Sequence, residues 1–142
     1  MRNKGFTLIE LLAVIVILAI IALIATPIVL GIINDSRKSA DQETAKLIAN
    51  NFSLAYQTAY MSGESAGVEP TLARVMEKFN MDNVTIETSG DEYTITSSSE
   101  NVVCTTSTGT AAGGRSLVTL SCTVNGEPFA EAESKITINA GS

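Results

Sequence analysis

Histidine is absent from the sequence, and sulfur nucleophiles are limited to Cys104 and Cys122. The commonest general base and the commonest metal ligand are therefore missing. Two thiols fall short of the four ligands of a structural zinc site, and they lack Cys-x-x-Cys redox spacing. AAGGR at 111–115 lacks the strand–loop–helix context and trailing Lys-Ser/Thr of a phosphate loop. Glu127, Glu131 and Glu133 in EPFAEAE do not follow the Asp-rich spacing of a calcium loop, and the run reads as a solvated acidic loop. No catalytic residue, metal site or cofactor is assigned, and the chain is not expected to be an enzyme. The net charge is −6, and the few basic residues form no stripe, which argues against specific nucleic-acid binding. One carboxylate stands out. Glu10 sits at the edge of an unbroken apolar run, Leu11–Ala25, where an ionised group is expensive: Asp, Lys or Arg at the centre of a membrane span costs roughly 2.5–3.5 kcal/mol.

The element that positions Glu10 is a long apolar helix. Leu11–Asn34 carries no charge, and a helix of that length rises about 36 Å, enough to cross a hydrocarbon core of about 30 Å. Arg2 and Lys4 precede it with no acidic residue to offset them. The positive-inside rule then predicts a single span of the cytoplasmic membrane, with the N-terminus inside and the remainder outside. A cleaved secretory signal would need a shorter apolar region and a small residue where Leu23 stands. A plain anchor would explain the length, but neither Glu10 nor the Gly5-Phe6 pair.

KGFTLIELL, continued by apolar sequence to Ala25, resembles the prepilin leader junction of type IV pilins and pseudopilins. The resemblance covers Lys4–Ala25 and no more. It implies a leader, residues 1–5, cut between Gly5 and Phe6 by a prepilin peptidase that also methylates the new amine of Phe6. It also implies a subunit that polymerises with copies of itself, driven by an assembly platform and its ATPase. Glu10 would lie one helical turn from the new N-terminus, on the same face as Phe6. A helix N-terminus favours a carboxylate, and a cationic amine, its own or a neighbour's, gives Glu10 a partner. A buried ion pair is best attested as a device for register, so Glu10 is read as an assembly residue. Loss of MRNKG would leave 7 basic against 15 acidic residues in place of 9 against 15, moving the charge from −6 to −8.

Past Asn34 the helix is expected to continue to residue 62, because Ala45, Ile48, Phe52, Ala55 and Ala59 recur at steps of three and four. As one helix, Phe6–Tyr60 would be about 80 Å long. Pro27 removes one backbone hydrogen bond, and Gly31 follows one turn later. The pair predicts a kink, and the resemblance implies a stretch that melts when subunits pack. The chain thus divides into a leader (1–5), a membrane or filament-core helix (6–34), an amphipathic continuation (35–62) and a β-rich extracellular domain (63–142).

After a Gly- and Ser-rich connection over 61–70, PTLARVMEKFN predicts a short helix with Leu72, Val75, Met76 and Phe79 on one face. Strand-like runs follow at 84–88, 92–97, 101–106, 116–124 and 134–140. The expected fold is α+β, an antiparallel sheet laid on the second half of the long helix. A hairpin centred near Gly113 pairs residue i with 226 − i and sets Cys104 opposite Cys122. Such pairs lie within reach of a disulfide, which an extracellular location favours.

These readings converge on a structural subunit of a type IV pilus-like filament, stored in the membrane and then displayed at the cell surface. The alternatives are a pseudopilin or minor pilin of a secretion or DNA-uptake machine, and a membrane-anchored binding domain that never polymerises.

Overall fold

The computed structural model of the protein describes residues 5–62, 69–111 and 113–138. The cations Arg2 and Lys4, most of the 61–70 connection and the expected end of the last strand at 139–140 lie outside the described residues. The chain forms two compact units, Met1–Arg37 and Lys38–Ser142, whose boundary falls inside the first helix, α1 (Leu8–Met61).

In the first unit, α1 is apolar on every side from Leu11 to Ile33, and every large apolar side chain from Phe6 to Ile33 is exposed. It is the one described helix long and apolar enough to cross a membrane. The helix runs through Pro27 without ending. Proline has no N–H to give to the carbonyl of Leu23. One residue earlier, the Thr26 hydroxyl donates to the Ala22 carbonyl at 2.7 Å, the local satisfaction that lets a spanning helix tolerate proline.

In the second unit the periodicity changes. Asp41, Ala45, Ile48, Ala49, Phe52, Ala55 and Ala59 form one buried stripe on α1, and the five residues expected from spacing alone are all among them. The stripe joins a single core with the sheet and with α2 (Leu72–Lys78). Thr71 caps α2, its hydroxyl accepting from the Arg74 N–H at 3.4 Å. Leu72, Val75, Met76 and Phe79 are all buried, as the helical pattern predicts, although Phe79 serves as the C-cap.

The sheet is a five-stranded antiparallel meander in sequence order: β1 (Val84–Ser89), β2 (Glu92–Ser97), β3 (Val102–Thr110), β4 (Ser116–Val124) and β5 (Glu127–Ile138). This is the expected α+β arrangement, a long helix packed on an antiparallel sheet. The β3–β4 register is the expected one, with Val102 opposite Val124 and Cys104 opposite Cys122.

The acidic run EPFAEAE differs from the expectation. It is not a solvated loop but the first half of β5, with Val124 paired to Glu127. The physical reason is the Asn125-Gly126 turn. Both residues take positive φ, 53° and 81°, the primed turn whose twist matches a two-residue hairpin. The β4–β5 register then shifts between Leu120 and Cys122. This bulge seats Ala132 fully in the core while leaving Glu131 exposed.

Candidate functional site

The head of α1 holds the residues singled out by the resemblance. Gly5, Phe6 and Thr7 precede the helix, and Phe6 is 89% exposed. Helix α1 begins two residues later than expected, so Phe6 and Glu10 are not stacked on one helical turn here. Thr7 instead makes a reciprocal cap with Glu10. The Thr7 N–H and hydroxyl both donate to Glu10 Oε2, at 3.0 and 3.2 Å, and the Glu10 N–H donates to Thr7 Oγ1 at 3.3 Å. This is the capping box, Ser/Thr-x-x-Glu before an apolar run, and it satisfies donors that a helix start leaves orphaned. The signal TLIE was legible in the sequence. Among the described residues nothing bonds Glu10 Oε1.

Pro27 and Gly31 lie further along the same exposed surface. A Cβ added at Gly31 meets no atom within 4 Å, so nothing in the chain itself requires glycine there.

In the second unit, Cys104 and Cys122 form the expected disulfide, with Cα atoms 4.0 Å apart, and both residues are buried in the core. Two polar ties were not foreseen. Asp41, buried on α1, accepts from Asn101 Nδ2 at 3.2 Å and from the Ser99 hydroxyl at 3.5 Å, tying the helix to the β2–β3 turn. No local pattern announces a contact across sixty residues. Lys46 lies between Glu43 at 3.1 Å and Glu131 at 3.3 Å, with its ammonium 5.9 Å from the Phe129 ring centre. The Glu43 hydrogen bond, and then that of Glu131, raises the Lys46 pKa above its ordinary value. Burial, followed by nearby Glu69 and Tyr60, raises that of Tyr56.

Among the described residues no three of His, Cys, Asp and Glu gather as metal ligands. The arrangement presents an exposed apolar helix with a carboxylate at its head in the first unit, and a disulfide bracing the second.

The prokaryotic N-terminal methylation motif matches residues 1–26. No curated protein matches the chain, and no solved structure does. The matched segment holds Gly5, Phe6, Thr7 and Glu10 together with the apolar run Leu11–Ala25.

Proposed function

We propose that this chain, which carries the type IV pilin/prepilin signature, is a structural subunit of a type IV pilus-like filament. In this reading a prepilin peptidase cuts after Gly5 and methylates the amine of Phe6. The subunit waits in the cytoplasmic membrane with its N-terminus inside. An ATPase-driven platform then moves it into a surface fibre made of copies of itself. The observation that carries the reading is the apolar surface from Phe6 to Ile33, on which every large side chain is exposed. Its matched motif points to a structural protein of the pilin-like or pseudopilin class.

The capping box refines the part played by Glu10. Thr7 holds the carboxylate at the helix start through Oε2, which leaves Oε1 for a cationic amine. In the fibre that amine is the Phe6 amine, its own or a neighbour's. A charged pair inside an apolar bundle is costly when mispaired, so it fixes how far one helix slides along the next.

Intact-mass and N-terminal peptide analysis of the native protein tests the cut. The expected product starts at Phe6 and carries one added methyl; a chain that retains Met1 or Arg2 removes the reading. Glu10→Ala is then expected to insert normally and to lower the yield of sheared fibres more than tenfold. Unchanged fibre yield would mean that Glu10 only caps the helix. A surface domain that never polymerises would give no fibre with either chain.

A further inference from the structure

The turn between β4 and β5 holds two residues whose own chemistry can undo it. Asn125-Gly126 is the one Asn-Gly step in the sequence, and both residues are exposed. Glycine has no Cβ to shield its backbone nitrogen, so that nitrogen can reach the side-chain amide carbon of the residue before it. Among the described residues no hydrogen bond holds the Gly126 N–H or the Asn125 side-chain amide.

Asn101 supplies the contrast. Its Nδ2 donates to Asp41 at 3.2 Å, and the N–H that follows it, of Val102, donates to Ser97 Oγ at 3.3 Å. Asn51 Nδ2 is likewise held, by the Leu47 carbonyl at 2.9 Å within α1. The amide and the following nitrogen are both engaged at Asn101, and both are free at Asn125.

We propose that Asn125 is a site of spontaneous deamidation through a cyclic imide formed with Gly126. The Gly126 nitrogen bonds to Asn125 Cγ, the Cγ–Nδ2 bond breaks, and the Gly126 amide proton leaves with Nδ2 as ammonia. Water then opens the imide. Opening at the side-chain carbonyl gives aspartate; opening at the backbone carbonyl gives isoaspartate, with the chain running through Cβ and Cγ. Either product adds one negative charge, two residues before Glu127. Isoaspartate also lengthens the turn by one backbone atom. Loop length and turn type fix the register of a hairpin, so the longer turn no longer fits the pairing of Val124 with Glu127. The damage reaches further. The Asn125 N–H donates to the Asn101 carbonyl at 2.7 Å, and Asn101 in turn holds Asp41 on α1. The turn is therefore the outer link of a chain of contacts that ends on the helix. This site stands apart from the filament reading, and the failure of either leaves the other intact.

Ageing of the purified full chain in detergent and mildly alkaline buffer tests this. Trypsin releases residues 116–135, in which Asn125 is the only amide side chain. After ageing and reduction, this peptide is expected to be one dalton heavier and to separate into two products, the isoaspartyl form the more abundant. Its conversion should exceed at least tenfold that of residues 79–115, which carry Asn80, Asn83 and Asn101. Protease resistance of the aged chain is expected to fall in step with the isoaspartyl fraction. Asn125→Gly suits the positive φ of the turn and is expected to keep its resistance over the same time. An unchanged mass, equal conversion in the two peptides, or aspartate as the single product overturns the proposal. Loss of resistance shared by Asn125→Gly overturns the link to the helix. If Asn125→Gly fails to fold, the mass of the parent peptide decides alone.

Discussion

Phe52 and Leu54 stand two residues apart on α1, and their surroundings differ completely. Phe52 is fully buried against the sheet, and Leu54 is 58% exposed. In the first unit that contrast disappears: Leu18, also 58% exposed, has apolar neighbours on every side of the helix. Along Asp41–Ala59 the pattern separates a stripe buried in the core from an exposed opposite face. Along Leu8–Ile33 nothing is set aside for the chain itself. One half of the helix buries a stripe in the chain's own core, and the other keeps its apolar surface exposed.

The largest effects fall where the internal partner is. Phe52→Ala is expected to destabilise the folded unit by about 3–5 kcal/mol through the cavity it leaves, while Leu54→Ala stays within about 0.5 kcal/mol. Denaturation of the full chain in detergent, followed through the sheet signal, reads both. Equal losses at the two positions would erase the contrast.

The disulfide comes next. Cys104→Ser is expected to remove about 3 kcal/mol, because a cross-link closing a loop of this size lowers the entropy of the unfolded chain. Reductant should bring the parent chain to the same protease sensitivity. Identical resistance with and without reductant would leave the cross-link no part in stability.

Gly31→Ala probes the apolar half. No atom opposes the added methyl, so the helix gains about 1 kcal/mol from propensity alone. If the stretch after Pro27 melts during packing, this gain opposes assembly and slows fibre growth. Growth at the parent rate would assign Pro27 and Gly31 a bend and nothing more.

The smallest effect concerns the tie between α1 and β5. Lys46 and Tyr56 both hold their protons more tightly in the fold than at their ordinary values of 10.5 and 10.0. The stabilisation is complete below those values and is lost as pH rises through the raised ones. A modest fall in the denaturation midpoint is expected above about pH 10, and Glu131→Gln should shrink the Lys46 share. A midpoint that climbs with alkali would reverse the sign.

Much of the molecule is local and was therefore legible. A period near 3.6 marks the stripe Ala45, Ile48, Phe52, Ala55 and Ala59. Alternation marks the strands, and a turn near Gly113 sets Cys104 against Cys122. The capping box was equally local, in the four letters TLIE. The Asn125-Gly126 turn was local as well. It starts β5 at Glu127, where acidic composition alone reads as a loop.

By itself the sequence determined the apolar helix, the carboxylate at its head, the strands except the first half of β5, and the cysteine pairing, because each depends on spacings of a few residues or on one turn. Only the tertiary structure decided that Asp41 is buried against Asn101, that Lys46 meets Glu131, and that a bulge seats Ala132 in the core. Those contacts join positions far apart in the chain. They exist only once the helix lies on the sheet, because packing, not periodicity, brings their side chains together.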